Sequence, residues 1–351
     1  MQRRLAIVVL ALLAGAGANV LVAGCGSSSP AELAFTSTRD GNAEVYLVRS
    51  DGSGLQDLTQ ALANDGQPTW SPDGDRIAFV SLRDGNAELY VMNADGTGQK
   101  RLTRSPAINE TAPMWSPDGA KIAAECTTAR PVPVTEICVL NADGGGFRTL
   151  TGPGSEDNLY PTWSPDSSEV LYSSARTSTG GRYAIYAVRA GGGGERRVTT
   201  NPGGDGEPAF SPDGAELAFI SRGASPRSPW RLYVMRSDGS GQRKVPAPPG
   251  RIDAPVWSPE GEQLAFMRLA GSSPRGDIYV VNRDGSDLVR LTNGPGNSIT
   301  PVWSPDGKSI AFVRLAGRRA DVYVVSASGE GEKRLTSGAG QNGGPVWRPA
   351  G

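Results

Sequence analysis

From residue 31 onward the apolar residues come in short runs. One set reads LAF (33–35), IAF (77–79), IAA (122–124), VLY (170–172), LAF (217–219), LAF (264–266) and IAF (310–312). A second set follows: VYLV (45–48), LYVM (89–92), ICVL (137–140), IYAV (185–188), LYVM (232–235), IYVV (278–281) and VYVV (322–325). Short runs rich in β-branched and aromatic residues, bounded by Gly, Pro, Asn and Asp, read as strands. No stretch after residue 25 keeps a 3.6 period for ten residues, so no long helix is predicted.

Two more segments complete each unit. A polar turn such as SDGSG (50–54) or NADGTG (93–98) leads into a Leu-Thr pair: Leu58–Thr59, Leu102–Thr103, Leu150–Thr151, Val198–Thr199, Leu291–Thr292 and Leu335–Thr336. The fifth copy is degenerate, with Val245–Pro246. Ahead of each first apolar run stands an aromatic followed by a turn. WSPDG occupies 70–74, 115–119 and 303–307; near copies are WSPDS (163–167), FSPDG (210–214), WSPEG (257–261) and WRPAG (347–351). Pro presets φ near −65° at the second turn position, Asp tolerates the third, and Gly takes the positive φ that closes a type I turn with a bulge. The phrase therefore predicts a hairpin. Its Asp is a turn residue, and its Trp offers a flat apolar surface to the neighbouring sheet.

The seven aromatics are spaced by 45, 48, 47, 47, 46 and 44 residues. A period in the forties made of four short strands predicts an all-β chain, a β-propeller of four-stranded blades. The series begins with LAF and ends with Pro345-Val346-Trp347, so the two ends complete one unit between them. Closure by the C-terminal strand then gives seven blades and hides the sheet edges. The WD40 form should show Gly-His and Trp-Asp pairs, and this chain has neither. Pro68-Thr69-Trp70 through Thr103 instead resembles the TolB-type (PD40, WD40-like) repeat, P-x-W-S-P-D-G-x-x-I-A-F, then an apolar strand, a D-G turn and L-T. The resemblance spans roughly residues 31–351 and implies a protein-binding propeller. TolB propellers have six blades, which leaves six as the alternative count, and TolB carries an α/β domain ahead of the propeller that is not seen here.

The first 25 residues follow another pattern. MQRR is basic, residues 5–22 form an apolar run broken only by Asn19, and small residues precede Cys25. This reads as a secretory signal. Val22-Ala23-Gly24-Cys25 resembles the bacterial lipobox, which implies cleavage before Cys25 and its lipidation. The expected organisation is a lipoprotein signal peptide over 1–24, a lipidated tether over 25–30 and the propeller over 31–351. It would be exported and held on the extracytoplasmic or periplasmic face of a bacterial membrane. In that compartment Cys126 and Cys138, on neighbouring strands, form either a disulfide or two buried thiols.

Composition narrows the chemistry. The chain has 351 residues, a formal charge of −1 and no histidine. The charge balance offers nothing to nucleic acid. Lack of His excludes Ser-His-Asp and Cys-His machinery and His-ligated metal. No cofactor or metal is expected. The segments leading into each innermost strand place Asp65, Glu110, Asn158, Asp205, Asp253, Ser298 and Asn342 at one mouth of the channel. That ring is either a receptor for a basic peptide or a solvated rim. The arginine-bearing loops between second and third strands (Arg130, Arg176, Arg182, Arg222, Arg227, Arg231, Arg268, Arg275, Arg314, Arg318 and Arg319) either face acidic lipids or polymers or are a solvated edge. The expected function is a monomeric, non-catalytic scaffold for an envelope protein or peptide. The alternatives are a glycan or small-ligand sensor using Tyr160, Tyr183 and Trp230, and a carboxylate-based hydrolase acting in the channel.

Overall fold

A computed structural model describes residues 30–350 except 129–132, 153–156, 224, 226–227, 272–274 and 339. Cys25 and the signal segment, with Arg130 and Arg227, lie outside the described residues. The rest forms seven four-stranded antiparallel sheets in a ring, a seven-bladed propeller, with one 3-10 turn at Thr177–Thr179. We number the blades I–VII and letter the strands a–d from the channel outward. The innermost a strands are Asn342–Trp347 (blade I), Asp65–Trp70 (II), Ile108–Trp115 (III), Asn158–Trp163 (IV), Asp205–Phe210 (V), Arg251–Trp257 (VI) and Asn297–Trp303 (VII).

Blade I joins the chain ends. Its a strand is C-terminal and pairs with the N-terminal b strand, Leu33 opposite Trp347 and Ser37 opposite Asn342. Arg348 fastens the seam by pairing with Glu32 at 2.8 Å and donating to the Gly74 carbonyl at 2.9 Å.

Each motif now has a mechanical role. In the Ser-Pro-Asp-Gly turn, the Gly74 amide donates to the Ser71 carbonyl at 2.9 Å and Gly74 adopts φ 72°. The Asp side chain stays in the turn: Asp213 accepts from Ser211 at 2.5 Å and from the Ala215 amide at 3.0 Å. Those bonds hold its carboxyl below the usual range. Six indoles cross to the preceding blade, where Nε1 of Trp70, Trp115, Trp163, Trp257, Trp303 and Trp347 donates to a main-chain carbonyl at 3.0–3.3 Å. Phe210 has no such donor.

The outermost d strands are two residues long, such as Lys100–Arg101, Arg196–Arg197 and Lys333–Arg334. Short, charged edges resist pairing with other chains. In the six blades other than V, a Thr after the d strand extends the ladder by one bond. Its Oγ1 accepts from a c-strand amide, as in Val45 to Thr59, Leu89 to Thr103 and Val322 to Thr336, at 2.9–3.0 Å. Six blades carry a pair of facing aromatics, such as Phe35 with Tyr46 and Phe312 with Tyr323, ring centroids 5.8 and 5.6 Å apart, and blade III has Ala124 opposite Cys138 in their place.

Candidate functional site: the two ends of the channel

The innermost strands bound the channel and differ at their two ends. At the turn end, all seven blades supply an aromatic and a proline (Trp70 with Pro72 through Trp347 with Pro349) around a cavity of about 130 Å³. This end repeats nearly the same residues seven times, and its indoles are spent on the stitches between blades.

The opposite end carries a β-bulge in every a strand, two to three residues before the aromatic. The residue before the repeated Pro sits there in the left-handed region, with φ between 50° and 60°: Gln67, Ala112, Tyr160, Glu207, Ala254, Thr300 and Gly344. Such φ values cost non-glycine residues energy, above all a β-branched one such as Thr300. Only one of the seven is Gly. These side chains are half-buried and chemically different from blade to blade. Sequence reading passed over them. The available signal was a position that varies between an unvarying Pro and the residues before it.

Some members of this ring also join blades. The Gln67, Tyr160 and Glu207 amides donate to Thr36, Glu125 and Ser173 of the preceding b strand, at 3.0, 2.9 and 3.1 Å. Where that b-strand position is apolar, at Val80 and Ile220, the preceding bulge residue takes over. Gln67 Oε1 accepts from the Ala112 amide at 2.7 Å and Glu207 Oε2 from the Ala254 amide at 2.5 Å. One arc, over blades III–VI, is acidic and aromatic. Burial, and then Asp157, pushes Glu125 up to about 7. Burial, and then Asp253, pushes Glu207 up to about 7. Burial and the nearby Glu207 and Glu125 push Tyr160 up to about 12.

The seven residues expected at the channel mouth are not displayed there. Asp65, Glu110, Asn158, Asp205, Asp253, Ser298 and Asn342 are all buried. Their position on the bulged strand turns them toward the seams between blades. Asn158 Nδ2 donates to the Thr135 carbonyl at 3.2 Å, Glu110 accepts from Thr103 at 3.1 Å, and Asn342 donates to the Ala320 carbonyl at 3.0 Å. Asp205 accepts from Asn201 at 2.8 Å, Ser298 from Arg314 at 3.3 Å, and Asp65 pairs with Arg83 at 2.5 Å. Asp253 does not belong to the set. Strand register aligns Ile252 with Asp65, since Ile252 opposes Arg268 as Asp65 opposes Ser81, and Asp253 falls one place further. The spacing to the Pro says the same: Ile252 stands three residues before Pro255 as Asp65 stands three before Pro68, and Asp253 only two.

Cys126 and Cys138 are bridged in the structure, with Cα atoms 6.0 Å apart. They are diagonal neighbours: Cys126 opposes Glu136 and Cys138 opposes Ala124. Of the arginines read as a loop cluster, Arg176 pairs with Glu195 at 2.6 Å and Arg314, itself buried, pairs with Glu332. Tyr183 and Trp230 are half-buried, Trp230 beneath the Arg222 guanidinium. Among the described residues no group of three His, Cys, Asp or Glu could hold a metal ion. Among them, too, no helix is long and apolar enough to cross a membrane.

The TolB beta propeller domain profile (PD40) matches residues 20–181 and 229–351. The chain belongs to the TolB β-propeller family. Solved structures agree at the level of fold. TolB from Acinetobacter baumannii aligns with TM-score 0.59 and 19% identity, over 91% of this chain and 67% of that one. An oligogalacturonate lyase in complex with manganese aligns with TM-score 0.65 and 16% identity, over 88% and 86%. A Mycobacterium tuberculosis puromycin-hydrolyzing peptidase aligns with TM-score 0.68 and 16% identity, over 86% of this chain and 53% of the enzyme. No curated protein sequence matches.

Proposed function

We propose that this TolB-family propeller is a lipid-anchored, monomeric and non-catalytic component of a bacterial envelope that binds an envelope protein or peptide at the bulge end of its channel. The observation that carries this is the contrast between the two rings. The turn-end ring repeats a single chemistry, as a frame must. The bulge ring holds six residue types over its seven positions, and six of the seven are not Gly although the φ would suit Gly better, so those side chains are retained for something other than the backbone. Membership of the TolB family favours a protein-binding scaffold in general. Absence of His leaves none of the usual neutral-pH base or metal-ligand chemistry on this chain.

The test is site-specific photo-crosslinking in cells. A photoreactive residue at Tyr160 or Thr300 is expected to give a discrete adduct with one envelope protein, and the same residue at Asp73 or Asp213 to give none. Adducts only at the turn end would overturn the placement. Absence of any protein adduct, with binding of a glycan or small molecule instead, would favour the sensor reading. Anchoring is tested separately: Cys25→Ser should abolish lipid labelling and release the protein from membranes.

A further inference from the structure

Arginine and carboxylate are matched on the bulge end of blades II, VI and VII. Arg83 pairs with Asp65, Arg101 with Glu88, Arg290 with Asp277 and Arg334 with Asp321, at 2.5–2.9 Å. The seam between blades V and VI is built differently. There Val245–Pro246 stands for Leu-Thr and Ile252 for the carboxylate, inside an apolar cluster with Leu232, Trp257 and Phe266. Two guanidiniums nevertheless hold the loop that crosses it, and Arg251 stands at its end. Arg231 Nη1 donates to the Gly250 carbonyl at 2.6 Å, and Arg268 donates to the adjacent Pro249 carbonyl, Nε at 2.8 Å. Arg251 pairs with Asp253 at 2.8 Å and keeps 56% of its side chain exposed. Among the described residues no carboxylate lies within ion-pair distance of Arg231 or Arg268.

Arg231 and Arg268 thus have no carboxylate partner among the described residues, while Arg251 faces Asp253 and the field of Glu207. An anion beside them would gain from all three positive charges. Main-chain carbonyls fix two of the guanidiniums at neighbouring points, which lowers the entropy lost when their remaining N–H groups take up a ligand. A guanidinium so placed suits a carboxylate, bidentately. The cluster adjoins the bulge ring, since Arg251 begins the strand that carries Ala254 three residues on. We propose that Arg231, Arg251 and Arg268 form the docking site for a carboxylate-rich segment of the protein partner, an acidic peptide stretch lying across the blade V–VI rim toward the channel. This rests on the partner-binding reading above.

The probe is a fluorescein-labelled hexaglutamate peptide titrated against the processed protein, with binding read by anisotropy at low and physiological salt. Binding should weaken with salt and by about tenfold or more in the R231Q/R268Q variant. It should be largely kept in R231K/R268K and unchanged in R318Q/R319Q, whose arginines lie exposed on blade VII. Arg251→Gln leaves both carbonyl clamps in place and should cost about threefold, so the site can be judged even if the double variant disturbs its loop. Equal loss in R318Q/R319Q would show general electrostatic attraction and overturn the site. So would failure to bind the peptide, or preferential binding of oligogalacturonate or of vesicles containing phosphatidylglycerol. Persistence of the Tyr160 photo-adduct in R231Q/R268Q would refute this docking site and leave the partner-binding function standing.

Discussion

Two seams built on one template show how the ring tolerates opposite chemistries. Between blades II and III the contact is polar: Thr103 accepts from the Leu89 amide and donates to Glu110, while Glu88 pairs with Arg101. Glu88 and Glu110 are both fully buried, and each keeps one oxygen without a partner. Between blades V and VI the same positions are Pro246 and Ile252, and the contact is dry. Both seams keep the indole stitch, Trp115 to the Thr69 carbonyl and Trp257 to the Ala209 carbonyl. The stitch is common to these two seams, and the chemistry behind it varies. Where the polar kit is kept, a seam carries charges that must be balanced. Arginines held by main-chain carbonyls rim both kinds of seam: Arg231 and Arg268 at the dry one, and Arg182 and Arg275 at seams that keep the kit.

Making the dry seam ionic should have the largest effect. Ile252→Asp would bury a carboxylate with no Thr to donate, opposite an Arg268 that is already held by the Pro249 carbonyl. We expect a loss of roughly 3–5 kcal/mol, read as a lowered urea midpoint. A midpoint like that of the native protein would mean that the seam admits water.

The polar seam should respond to pH. Burial, and then the neighbouring Glu88, raises Glu110 to about 7 from an ordinary value of 4.5, against the opposing bonds from Ser105 and Thr103. A group whose pKa is higher folded than unfolded contributes fully below its unfolded value, and that contribution is lost as pH rises through the folded value. Stability should therefore fall between about pH 4.5 and pH 7, by on the order of 2 kcal/mol. The Glu110→Gln variant should flatten that slope. The groups facing Glu110 are Glu88, Thr103 and Ser105 of blade II, with Arg101 behind Glu88. A slope unchanged in Glu110→Gln would assign the pH response to another carboxylate.

The smallest effect should come from restoring uniformity. Phe210→Trp would supply blade V with the indole donor that the other six blades have, aimed at the carbonyl of blade IV. A gain of about 1 kcal/mol is expected, visible as a rise in melting temperature. A loss instead would show that the blade IV–V seam has closed around the smaller ring.

The sequence by itself determined the repeat, the four strands of each unit, the hairpin role of Ser-Pro-Asp-Gly, the seven blades and the closure by the C-terminal strand. It could do so because each of these is local: turn geometry and strand alternation are written within about ten residues, and repetition writes them seven times. Exclusion of His-based chemistry was legible for the same reason, being a matter of composition. The tertiary structure alone decided which way side chains point at the bulge. One extra residue in a strand turns a side chain from the channel to a seam, so Asp65, Glu110 and their equivalents became buried joints. The residue before each Pro took the place at the channel. Ile252 in place of Asp253 was legible without the tertiary structure, since Ile252 stands three residues before Pro255 as Asp65 does before Pro68. Nor could the spacing of arginines along the chain reveal that Arg231 and Arg268, in different blades, share a loop. That meeting is made by packing between sheets, which no local pattern encodes.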